Sequence, residues 1–122
     1  MDREKLLIVD DDERLCRLLR RHLQNAGYET SVAHNDADMH RCMESDQFNL
    51  VILDINLPGK DGLTMAQELR QRSEIPIIFL SANADISYKI NGLQTGADDY
   101  ITKPFEIDEI RRAVQTLLEL NK

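Results

Sequence analysis

Four acidic residues stand in one unbroken run, Asp10, Asp11, Asp12 and Glu13, directly after the apolar stretch Leu6 to Val9. A lone aspartate, Asp54, follows a second apolar stretch, Leu50 to Leu53. Carboxylates held about 4 Å apart repel by roughly 4 kcal/mol at an effective dielectric near 20. Such a group stays together only with a proton, a basic partner or a metal. An all-oxygen donor set suits a hard divalent cation. Mg2+ is the usual one beside phosphate, and Mn2+ fits the same donors. Two further apolar runs lead to Ser81, a hydroxyl, and to Lys103, an ammonium followed by Pro104. A cation, an ammonium, a hydroxyl and backbone N–H groups can together surround a small oxyanion. Phosphoryl transfer asks mainly for such positioning and charge neutralisation, and a carboxylate can be the nucleophile. Asp10 and Asp11 are adjacent and open a helix, which suits holding a metal. Asp54 stands alone before the segment 55–62, which can wrap around a substituent, and is the residue placed to attack. Asp12 reads as a helix N-cap, Asp61 before Gly62 as turn and cap chemistry, and Glu13 as a solvated first-turn residue.

These residues need a frame that brings them to one rim. Short apolar runs at Leu6 to Val9, Tyr28 to Ala33, Leu50 to Leu53, Ile75 to Leu80 and Tyr100 to Ile101 read as five strands. Their near-continuous apolarity predicts a parallel sheet buried on both faces. Five helical patterns alternate with them. The first places Leu15, Leu18, Leu19, Leu23 and Ala26 at helical spacing and stops at Gly27. The second spans roughly Asp36 to Asp46. The third opens after Asp61-Gly62 with Leu63, Ala66 and Leu69. The fourth carries Ile86, Ile90 and Leu93 and stops at Gly96, and the last runs from Ile107 to Leu118. Strand and helix in alternation give a flavodoxin-like doubly wound α/β fold, with expected strand order 2-1-3-4-5. Its switch point lies between strands 1 and 3, and ligands bind there beyond the strand ends. The topology thus points to Asp10, Asp11 and Asp54 without reference to their chemistry.

The chain of 122 residues is one domain's length, and it shows no linker or low-complexity segment. At 42% apolar it has enough for a packed core. A net charge of −7 argues against direct nucleic-acid binding by this domain, which needs clustered basic residues. No run is long enough to span a membrane, and the start has no apolar signal region, so a cytoplasmic location is expected. Cys16 and Cys42 match neither a disulfide framework nor a zinc pattern and read as reduced, packed thiols. His22, His34 and His40 lie in or beside helices with no shared pocket and read as surface residues. Lys60, in the segment after Asp54, reads as solvated or as a contact for a partner protein.

The segments LLIVDDDE, VILDINLPGKDG, IIFLSA and GADDYITKPF, in this order and spacing, resemble the receiver domain of two-component response regulators over essentially the whole chain. The last segment is most similar to the subfamily that carries a winged-helix DNA-binding domain after its receiver. The resemblance implies that Asp54 accepts a phosphoryl group from a phosphohistidine of a sensor histidine kinase. It implies that Asp11 and Asp54 bind Mg2+ directly, with the backbone carbonyl of Asn56 as a further ligand and Asp10 acting largely through water. Lys103, Ser81 and Ala82 would contact the phosphoryl oxygens, Ser81 and Tyr100 would form the switch, and the Lys103–Pro104 bond would be cis. Phosphorylation adds nearly two charges at one point, which can bias a two-state element between Ala84 and Tyr100. A homodimer through the last two helices and last strand is implied, with Lys89, Asp99, Glu109, Arg111 and Arg112 as candidate contacts. Here Ala113 stands where that subfamily usually has an arginine. Asn56 and Asn83 lie two positions past Asp54 and Ser81, at sites that tend to tune phosphate lifetime in the family.

Three other readings fit these residues less well. A phosphohydrolase using an aspartyl phosphate would want Asp-x-Asp-x-Thr/Val after the first strand, against Asp10-Asp11-Asp12-Glu13-Arg14 here, and would need a cap domain. A receiver that binds partners without phosphorylation would not need Asp10, Asp11, Asp54, Ser81 and Lys103 together. A flavodoxin would need a Gly- and hydroxyl-rich loop after strand 1, where these aspartates would repel its phosphate.

Overall fold

The computed structural model describes residues 3–57, 62–82, 94 and 96–121. Five parallel strands, β1 (Lys5–Val9), β2 (Glu29–Ala33), β3 (Leu50–Asp54), β4 (Ile77–Ser81) and β5 (Asp99–Thr102), form one sheet in the order β2-β1-β3-β4-β5. The described helices are α1 (Glu13–Asn25), α2 (Asp36–Ser45), α3 (Gly62–Arg72) and α4 (Ile107–Leu120). The helix that the sequence predicts around Ile86, Ile90 and Leu93 lies outside the described residues, as do Lys60, Asp61, Asn83 and Lys89.

The alternation of side chains along each strand builds two cores. On one face Leu7, Val9, Val51, Leu53, Ile77 and Phe79 pack under Met39 of α2 and Met65, Ala66 and Leu69 of α3. On the other, Leu6, Ile8, Leu50, Ile52, Ile78 and Leu80 pack under α1 and α4. Strands β3 and β4 are buried at every position, as central strands sandwiched by helices must be. Edge strand β2 is buried only at Thr30 and Ala33, so the expectation of burial on both faces fails there.

Local signals set the element ends. Asp12 caps α1, its Oδ1 accepting from the N–H groups of Arg14 at 3.0 Å and Leu15 at 3.2 Å. Gly27, at φ +102°, turns the chain out of α1, and Tyr28 N–H donates back to Leu23 O at 3.1 Å. Strand β4 begins two residues later than the apolar run suggests, because Pro76 has no N–H to give a ladder. Its carbonyl still accepts from Val51 N–H at 3.0 Å. Leu18 is 55% exposed. The buried line of α1 is Cys16, Leu19 and Leu23, and Leu18 falls on the far side of it.

Candidate functional site

The sheet delivers its carboxylates at the C-terminal strand ends. β1 and β3 pair in register, Val9 beside Leu53, so the next residues of the two strands, Asp10 and Asp54, come side by side. Asp10 is fully buried and Asp54 is 3% exposed, while Asp11 reaches solvent. One carboxylate oxygen from each of Asp10, Asp11 and Asp54 lies within 4.8 Å of the others. The backbone orients two of them. Asp10 Oδ1 accepts from Asp12 N–H at 2.9 Å, and Asp54 Oδ1 accepts from Asn56 N–H at 2.9 Å. Across the pocket, the ammonium of Lys103 donates to Asp10 Oδ2 at 3.1 Å and Asp54 Oδ2 at 3.3 Å.

The electrostatics follow from this geometry. Burial pushes the Asp10 carboxyl above its ordinary range. The Asp12 N–H opposes the rise, the Asp54 charge adds to it, and Lys103 offsets part of it. For Lys103 burial works against the charge, but the hydrogen bond and charge of Asp10, with those of Asp54, outweigh it and hold the ammonium above its ordinary value. One lysine cannot neutralise three carboxylates, so the cluster remains electron-rich. All its donors are oxygens, and a hard divalent ion of the Mg2+ type fits both the donor set and the excess charge.

The neighbouring strands bring the remaining residues. Ser81 is the last residue of β4, fully buried, and pairs with Thr102 of β5. Its carbonyl accepts from Lys103 N–H at 2.6 Å, which ties the lysine backbone to the end of β4. Ala82 follows it into solvent. The Lys103–Pro104 bond is cis. Tyr100 is buried, its ring edge-on to Phe79 with centroids 6.4 Å apart at 89°.

Two supporting residues escape sequence reasoning. Asp10 O takes a contact from His34 Nδ1 at 3.0 Å and accepts from Cys16 Sγ at 3.3 Å. His34 is therefore more than a surface histidine. The signal was register: Ala33 pairs with Val9, which places His34 beside Asp10. Burial, reinforced by the charge of Asp10, pushes the Cys16 thiol up to about 12, so it stays protonated. Cys16 and Cys42 are both free thiols.

Gly62 closes the loop after Asp54, its N–H donating to Ile55 O at 3.2 Å. A Cβ there would sit 2.3 Å from Ile55 Cα and 3.0 Å from Asp54 O, both backbone atoms that cannot swing away. Gly62→Ala is expected to cost about 3 kcal/mol, the upper end for overpacking, as read from a denaturant midpoint.

The candidate interface residues divide. Asp99, Glu109 and Arg112 line one surface groove with Tyr100 and Ala113. Arg111 lies instead near Glu4 and Tyr28, with its Nε 3.5 Å from Asp108. Among the described residues no helix is long and apolar enough to cross a membrane.

Residues 6–115 match the family described as the response regulator receiver domain. The transcriptional regulatory protein YkoG of Bacillus subtilis is 38% identical over 122 residues, covering 99% of this chain and 54% of YkoG. This chain spans about half the length of the curated relatives it matches. The receiver domain of the Francisella response regulator 1452 has a TM-score of 0.93 at 32% identity, covering 98% of this chain and 99% of that one. The response regulator protein TrrA from Thermotoga maritima, solved in complex with Mg2+ and BeF, has a TM-score of 0.83 at 35% identity, covering 93% and 98%. A parallel sheet with its carboxylates and lysine gathered at one rim, and a family match across nearly its whole length, place the chain in the response regulator receiver domain family of two-component signalling.

Proposed function

We propose that the chain is a phosphorylation switch: Asp54 takes a phosphoryl group from a phosphohistidine of a sensor histidine kinase, and the resulting state controls an output, transcription. The observation that carries this reading is the meeting of Lys103 with the two buried carboxylates Asp10 and Asp54, at 3.1 and 3.3 Å. An oxygen of the Asp54 carboxylate forms the new bond to phosphorus, the P–N bond to the imidazole breaks, and the imidazole keeps the electron pair. Asp54 is held for attack by the Asn56 N–H, and Lys103 is poised to neutralise the phosphoryl oxygens as charge builds on them. Asp10, Asp11, Asp54 and the Asn56 carbonyl would hold Mg2+, with Mn2+ as a substitute, and a bound ion supplies further charge neutralisation. TrrA, a relative solved with Mg2+ and BeF, supports this assignment.

In this reading Ser81 and the N–H of Ala82 meet the phosphoryl oxygens, and the pull on the end of β4 is passed to Tyr100. The groove holding Asp99, Glu109 and Arg112 would serve a homodimer on phosphorylation. The protein would turn over no separate substrate and would work in the cytoplasm, and an output domain, where the natural chain carries one, would meet DNA in place of this domain. The test is incubation of the chain with acetyl phosphate, with and without Mg2+, read by intact mass. A gain of one phosphoryl group that needs Mg2+ and is lost in mild base is expected. No gain would overturn the proposal.

A further inference from the structure

A second set of metal-ligating side chains meets between α2 and α3, on the sheet face remote from α1 and α4. Asp36 and His40 are one turn apart on α2 and share a face. Asp36 Oδ1 lies 3.1 Å from His40 Nε2. That oxygen is shielded from solvent. Glu68 projects from α3, and one donor atom from each of the three lies within 4.8 Å of the other two. Ligands on one tetrahedral ion with bonds of about 2.1 Å stand about 3.4 Å apart, so small side-chain rotations bring this set onto a common centre.

The chemistry of this set differs from that of the acidic pocket. There every donor is an oxygen. Here an imidazole nitrogen joins two carboxylates, the combination preferred by borderline transition ions over Mg2+. As metal ligands, two carboxylates and an imidazole carry two negative charges, which a divalent cation balances. Arg72 lines the adjoining groove beside Glu68. Glu44, one turn beyond His40, lines that groove too and is available as a further oxygen donor. Three ligands from two helices make a staple, and a bound ion would fix α2 against α3.

We propose that Asp36, His40 and Glu68 bind a divalent transition ion of the zinc class and that the ion cross-links α2 to α3. The test titrates Zn2+ into the tag-free chain with Mg2+ in excess to fill the acidic pocket, read by calorimetry and by thermal midpoint. One zinc per chain and a midpoint that rises with zinc are expected. His40→Gln and Glu68→Gln should each weaken zinc binding by at least about 10-fold to 100-fold, the cost of losing even a residue that only orients a ligand. Asp11→Asn should leave zinc binding unchanged, because its carboxylate belongs to the other site. Both glutamine variants replace partly exposed side chains, and circular dichroism of each confirms folding before titration. No saturable zinc binding, equal binding in both glutamine variants, or loss in Asp11→Asn would each overturn the assignment.

Discussion

Asp54→Asn should stop phosphoryl uptake while the domain stays folded. The amide keeps the volume of the carboxyl and an oxygen for the Asn56 N–H, now met at 2.9 Å, so the loop after β3 retains its anchor. Lys103 also keeps its stronger partner, Asp10, at 3.1 Å. What disappears is the anionic oxygen that forms the bond to phosphorus. Loss of a nucleophile costs more than loss of any one charge-neutralising group, and a rate reduction of about 10⁴-fold or more is expected. Intact mass after incubation with acetyl phosphate and Mg2+ reads the effect, and a thermal melt run in parallel separates it from unfolding. A variant that still gains the phosphoryl group would move the acceptor to another residue.

The frame of the site was legible because it depends on strand ends, and buried parallel strands announce themselves as apolar runs. Asp10, Asp54 and Ser81 each sit at or beside the last apolar residue of a run, and sheet order then brings them to one rim. The less legible features depend on contacts between segments distant in sequence. His34 reaches Asp10 only through the register of β1 on β2, and no local pattern marks it. Asp36, His40 and Glu68 meet only because α2 and α3 share a face of the sheet. Leu18 counts as apolar in any window, yet the buried line of three residues, Cys16, Leu19 and Leu23, leaves it outside. Arg111 and Arg112 are neighbours in the chain, but one helical step of about 100° sends them to different grooves. Periodicity locates a face, and its partner across the fold must come from three-dimensional packing.

Lys103→Met should expose the electrostatic tension that the lysine now relieves. Methionine keeps much of the stem's bulk, so the change is chiefly the loss of one positive charge between Asp10 and Asp54. Both carboxylates remain almost fully buried, and leaving buried charges without their partner costs about 3 kcal/mol. For a domain of this size that lowers the thermal midpoint by about 10 °C. The pH dependence has a definite sign. The Asp10 carboxyl already lies above its ordinary value in the fold, so its ionisation weakens the native state as pH rises. Without Lys103 that penalty grows, so the gap between variant and wild type is widest near neutral pH and narrows in acid as Asp10 takes up a proton. The gap also narrows at the alkaline end. Lys103 is held above its ordinary value, so its contribution is complete below the unfolded value and is lost as pH rises through the folded one. Added Mg2+ should restore part of the lost stability at neutral pH, since it supplies positive charge to the same oxygens. Phosphoryl uptake should still fall by about 10²-fold to 10³-fold, because the ammonium that meets the phosphoryl oxygens is gone. Thermal melts across pH with and without Mg2+, alongside uptake rates, read both effects. A pH-independent loss of stability would assign Lys103 a packing role in place of an electrostatic one.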